Sequence, residues 1–161
     1  MTILRISRFA RRICRETNGT GVIELGFVLP VFLLMFAGMI DLTRVALTKI
    51  DTEQAAQRTT DFVLAKLPTS DSTTYLQAEA ATAAGVERSA VTAQLLLECN
   101  GTSTNFETGC SSGQVSARYA SISINKNVDM LFDWSSLSGL FGSDLLPSTV
   151  TVTGDSVVRF Q

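Results

Sequence analysis

The chain has 161 residues, 45% apolar and only 17% charged, which leaves room for one modest domain with appendages and excludes a disordered chain. Its net charge of −2 hides an asymmetry: residues 1–19 carry five arginines against Glu16, whereas the remainder holds eight Lys/Arg against fourteen Asp/Glu. That acidic remainder gives no reason to expect nucleic acid. The lack of histidine excludes Ser-His-Asp, Cys-His and His-based metal chemistry.

Behind the basic flank (Arg5, Arg8, Arg11, Arg12, Arg15) lies an apolar stretch from Val22 to Ile40, interrupted by Glu24. The positive-inside rule keeps the flank in the cytoplasm and sends everything after Asp41 across the membrane. Leu25 to Ile40 is sixteen uncharged residues, short of the ~20 normally needed to cross a bilayer, and including Gly21 to Ile23 brings the segment into range. An ionisable group at membrane depth is costly and normally has a dedicated partner, so Glu24 reads as a functional residue. A cleaved secretory signal is the first rival. It fits poorly, because the run is long, contains Glu24 and Pro30, and is followed by no small-x-small site. A plain signal anchor with an incidental glutamate is the second.

Asp41 to Leu67 lacks Gly and Pro and continues the helix, with Leu42, Val45, Ala46, Ala56, Val63 and Leu67 roughly on one face. Asp41 with Arg44 and Lys49 with Glu53 stand at ion-pair spacing. The expected helix therefore runs from near Val22 to Leu67, ~65–70 Å, with Pro68 ending it. Pro30 predicts a kink or local melting, since it removes a hydrogen bond and crowds the Gly26 carbonyl.

Tyr75 to about Arg88 reads as a second, Ala-rich helix, with Gly85 weakening its end. Val91 to Cys99 predicts a strand. A polar loop follows between Cys99 and Cys110, and then a strand from Val115 to Val128, through Ala117, Tyr119 and Ile122/Ile124 with a slip in register. Met130 to Leu146 is an apolar stretch, either a short helix or a loop. Pro147 opens a last strand, Thr149 to Phe160, with a bulge or bend at Gly154. Three strands and a helix need a cover, and the outer half of the long helix supplies it.

Cys99 and Cys110 form the one extracytoplasmic pair available, and closing their loop is worth about 3 kcal/mol. Two free thiols or a metal site are the alternatives, the latter opposed by the missing histidine and third cysteine. Scattered acidic residues read as a solvated face rather than a glycosidase pair. No phosphate-binding G-x-x-x-x-G-K-[ST] or G-x-G-x-x-G occurs, and Asp133-Trp134-Ser135-Ser136-Leu137 fails as a D-x-S-x-S metal motif. Asn18-Gly19-Thr20 and Asn100-Gly101-Thr102 match a glycosylation sequon, but both read as turns.

The run Gly19-Thr20-Gly21-Val22-Ile23-Glu24-Leu25-Gly26-Phe27-Val28-Leu29-Pro30, continuing through Gly38, Asp41 and Arg44, resembles the N-terminal motif of TadE-like minor pilins (pseudopilins) of tight-adherence (Tad/Flp) type IV pilus systems. Leu25 stands where Phe or Tyr is more usual. The resemblance implies a pilin-like α+β fold, with a long N-terminal helix on a small antiparallel sheet domain carrying a second short helix. It implies a leader, residues 1–19, removed by a prepilin peptidase between Gly19 and Thr20, then a helix over 20–67 with its span at about 22–40, and an extracytoplasmic domain over 68–161. Glu24 becomes mature residue five, paired with the new Thr20 amine.

No enzymatic activity, cofactor or metal is implied. The implied partners are the peptidase, other major and minor pilins, the Tad inner-membrane assembly platform and the inner membrane itself. The chain is expected to sit there as a single-pass protein with its C-terminal domain in the periplasm, or in the extracellular pilus. With 142 residues left after cutting, it is too large for a major pilin of these fibres. A TadF-like subunit, a type II secretion minor pseudopilin (disfavoured by Thr20 in place of Phe) and a signal-anchored periplasmic interaction module remain as alternatives.

Overall fold

The computed structural model describes residues 19–139 and 147–161. Its elements are α1 (Gly19–Ala65), α2 (Thr74–Ala84), a 3-10 turn (Arg88–Ala90), β1 (Val91–Cys99), β2 (Thr102–Thr104), β3 (Ser116–Asp129), α3 (Trp134–Gly139) and β4 (Thr149–Arg159). Contacts divide the chain into a unit ending at Ile40 and a second unit, Asp41–Gln161. The fold class is α+β, as the sequence predicts.

Within the second unit the strands form one antiparallel sheet in the order β2-β1-β3-β4. The register is unbroken: Val91 faces Ile124 through to Cys99 facing Ser116, and Tyr119 faces Arg159 through to Asp129 facing Thr149. The predicted slip in β3 is therefore absent. Its core face is Ala120, Ile122, Ile124 and Val128, all buried, while Ala117 and Tyr119 stand on the other face by the two-residue alternation of a strand. The opposite face is polar, and Asn125, Asn127 and Asp129 accept hydrogen bonds from Thr153, Thr151 and Thr149 across the β3–β4 pair.

The sheet has four strands, not three. Asn100 and Gly101 both adopt positive φ (52° and 80°), the geometry of a two-residue hairpin turn, and this folds Thr102–Thr104 back onto Leu97–Cys99. A three-residue strand of exposed Thr-Ser-Thr carries no hydrophobic alternation to announce it.

α2 stops at Ala84, short of Arg88. Gly85 takes the left-handed conformation (φ 62°), and the N–H groups of Gly85 and Val86 both donate to the Ala81 carbonyl. Lys126 reaches from β3 to donate to the Ala84 carbonyl at 2.7 Å, so a cation closes the helix end. Leu76, Ala80, Ala81 and Ala84 of α2 join Val91, Ala93, Ala120, Ile122 and Ile124 in the core.

The part of α1 beyond Ile40 covers the sheet, but on a different face from the predicted one. Ala56 and Val63 are buried, whereas Leu42, Ala46 and Leu67 are exposed. The buried stripe is Thr52, Ala55, Ala56, Thr59, Thr60 and Val63, at spacings of three and four. Threonines suit it because their hydroxyls bond back within the helix: Thr52 to the Thr48 carbonyl (2.6 Å), Thr59 to Ala55 (2.9 Å) and Thr60 to Gln57 (2.7 Å). Each of these three threonine hydroxyls is satisfied, so burying them carries no large desolvation penalty.

These short side chains let the helix lie almost directly on β4. A Cβ built at Gly154 would fall 2.5 Å from the Thr52 carbonyl group, closer than real Cβ atoms come. Gly154 pairs with Ile124 in unbroken register, so it is a site of close approach and not the predicted bulge. Ser156 shares a 3.0 Å hydrogen bond with Thr60, and Lys49 donates to the Thr153 carbonyl while pairing with Glu53 at 2.9 Å.

Replacing Gly154 with alanine should destabilise the fold by about 1–3 kcal/mol, because helix and strand backbones must separate. Gly139→Ala meets nothing within 4 Å and should change stability by less than about 0.5 kcal/mol. Thermal unfolding followed by circular dichroism checks both, and equal melting temperatures for the two variants would contradict the close-approach account.

Candidate functional site

Up to Ile40, α1 is apolar on all sides, and most of its described side chains are exposed. Phe27 is 78% exposed, and Ile23, Leu25, Leu33, Met35 and Met39 are all more than half exposed. A helix that is greasy all round has no polar face to offer water, and it is long and apolar enough to cross a membrane. Phe32 and Phe36 stack edge to face at 4.9 Å one turn apart.

Within this stretch Glu24 is exposed, one helical turn beyond Thr20. Gly19 and Thr20 are the first described residues and are already helical, so Gly19-Thr20 is not a turn; Asn18, Cys14 and the arginines lie outside the described residues. Pro30 sits inside α1, and the helix passes through it without a break. The predicted local melting is absent, because a proline removes one N–H donor while the flanking turns hold their own.

At Asp41 the environment changes. Its carboxylate is 3% exposed and accepts hydrogen bonds from the Leu131 N–H (2.7 Å), the Phe132 N–H (3.2 Å) and the Trp134 indole N–H (2.8 Å). Burial acts to raise its pKa, but the bonds from Leu131, Trp134 and Phe132, helped by the Arg44 charge, together hold it below the usual 3.8. The Asp41–Arg44 pairing expected from spacing is thus secondary to a clamp between residues 90 apart. Sequence reasoning missed this clamp; the only signal was an acidic residue at the end of an apolar run in a chain with one tryptophan.

Beyond Trp134 the clamped loop becomes α3, whose start is capped by Asp133. Its carboxylate accepts from the hydroxyls of Ser135 and Ser136 and the Ser136 N–H, which holds its pKa well below the ordinary value. Asp133-Trp134-Ser135-Ser136 is a helix cap.

Far from the clamp in sequence, Cys99 and Cys110 are bonded, with Cα atoms 5.6 Å apart. They anchor a small apolar cluster with Leu97 and Phe106. The Phe106 ring lies 6.3 Å from Phe160 and carries the Arg118 guanidinium at 4.8 Å.

The geometry thus defines a class, an α+β domain continued from an uncovered apolar helix that bears one carboxylate near its start. A family model described as TadE-like protein matches residues 19–61. That segment, from Gly19 through Glu24, Pro30 and Asp41 into the buried stripe, is similar to TadE-like proteins, which is consistent with a protein of Tad pilus systems. No curated protein and no solved structure matches the chain.

Two outcomes test this geometry. Because the folded pKa of Asp41 lies below its ordinary 3.8, the clamp is complete above that pH and is lost as pH falls through the depressed value. The emission of Trp134, the chain's one tryptophan, should hold steady from neutrality to about pH 4 and change below it. Asp41→Ala should show the changed emission at neutral pH, and a wild-type emission from that variant would contradict the clamp. Separately, Cys99→Ser/Cys110→Ser should lose about 3 kcal/mol of stability, read as a lower urea midpoint under oxidising conditions. Identical midpoints would contradict a structural disulfide.

Proposed function

We propose that the protein is a minor pilin of a Tad-type pilus, acting in assembly, initiation or at the tip of a fibre used for surface adhesion. The observation that carries this reading is Glu24, a carboxylate on a helix apolar on every side, inside a segment matching TadE-like proteins. In this reading a prepilin peptidase of the inner membrane removes the leader between Gly19 and Thr20. Glycine suits the last leader position because it lets the peptidase approach the backbone closely.

Cutting there creates an α-amino group on Thr20 with an ordinary pKa near 8, four residues before Glu24. The amine and the carboxylate then neutralise each other, within one subunit or between neighbours, as apolar helices pack together out of water. An unpaired charge in such a bundle costs several kcal/mol. The catalytic chemistry belongs to the peptidase, and this chain is its substrate. The partners are other pilins and the inner-membrane assembly platform, which acts on α1 while the domain beyond Asp41 stands in the periplasm.

A signal-anchored periplasmic module would use the same helix without needing Glu24, and the two readings part at that residue. Glu24→Gln keeps the shape and removes the charge. As the only copy in the cell, it should reach the membrane at the wild-type level and lower the pilus count by about tenfold or more, following the loss of a pair worth at least ~1.4 kcal/mol. Normal piliation with a stable Glu24→Gln protein would favour the anchored module.

A further inference from the structure

Counted from Gly21, the apolar segment ends at Ile40 after twenty residues, about 30 Å of helix, which matches the hydrocarbon core of a bilayer at about 30 Å. The next residue along the helix stands where the hydrocarbon ends. Asp41 therefore belongs at the edge of the hydrocarbon and not in bulk water. A bare carboxylate there would have to carry its own water; instead it is 3% exposed and satisfied by three N–H donors from Leu131, Phe132 and Trp134.

The donors bring apolar side chains with them. Leu131 is 71% exposed, and the half-buried rings of Phe132 and Trp134 pack edge to face at 4.8 Å. Exposed Arg44 and Asp133 lie close by, one helical turn from Asp41 and next to Trp134, where a headgroup layer would solvate them. Tryptophan with its N–H satisfied and its ring beside other apolar groups is the residue enriched at membrane interfaces.

We propose that Leu131, Phe132 and Trp134 form a second membrane contact, entering the headgroup–acyl boundary of the bilayer that α1 crosses, on the side where Asp41 emerges. The Asp41 clamp sets the depth of this contact. The proposal rests on the reading of α1 as a membrane anchor.

Trp134, as the one tryptophan in the chain, reports directly on the contact. The full chain is reconstituted into phosphatidylcholine vesicles, flotation is measured, and emission is recorded in lipids brominated either near the carbonyl or near the methyl end of the acyl chain. The expected result is co-flotation with roughly twofold or greater quenching by the shallow bromines and little by the deep ones. Leu131→Asp changes an exposed side chain and should keep the circular dichroism spectrum and the flotation while losing most of that quenching. Co-flotation with Trp134 open to aqueous acrylamide and untouched by either bromolipid would overturn the contact and leave the anchor standing. Shielding from both quenchers that vanishes on dilution would assign the patch to a second copy and overturn it as well. Failure to float would remove the anchor and the contact together.

Discussion

A single helix in this protein presents two kinds of surface, and the change from one to the other falls between Ile40 and Asp41. Before that step α1 is apolar around its circumference apart from Glu24, and most of its described side chains are exposed; after it only a narrow stripe is buried. Neither half tolerates the other's surroundings. Leucines and phenylalanines exposed all round have no stable resting place in water, and the charged face beyond Asp41 has none in lipid. The carboxylate that opens the second unit is taken up by backbone and indole donors from a loop 90 residues later.

Past the junction, packing depends on thinness. The stripe of Thr52, Ala55, Ala56, Thr59 and Thr60 has little apolar area, and the contact works through backbone proximity, with Gly154 giving up its side chain to the Thr52 carbonyl. Threonine hydroxyls bonded to carbonyls one turn back behave in such a contact as small apolar groups. Larger, conventionally hydrophobic residues supply the rest of the core, from Leu76 on α2 to Ile122 and Ile124 on β3.

This explains which parts of the structure were legible in the sequence. The apolar span, Glu24 within it, the three long strands and the helical cover follow from hydropathy and alternation, which are local signals. The buried face of α1 did not follow, because a search for apolar periodicity favours Leu42 and Leu67 over threonines that become buried only through their own back-bonding. Gly154 shows the same limit: a glycine in a strand reads equally as a bulge or as a close approach, and only its position under Thr52 decides. The Asp41 clamp and the strand Thr102–Thr104 depend on partners brought together by the fold, one across 90 residues and the other through a hairpin turn with almost no hydrophobic content. Of the proposed functional residues, Gly19, Thr20 and Glu24 were legible through their motif and their setting, since an isolated glutamate in an apolar run is a signal that composition itself supplies.

A pilin role for this chain requires that it be processed as a prepilin. Recovering the protein from membranes of cells that make it and determining its N-terminal residue tests that claim most directly. The predicted mature protein begins at Thr20, its amine four residues before Glu24. A membrane-bound chain that still carries the arginine-rich segment ahead of Gly19, in cells with an active prepilin peptidase, would contradict it.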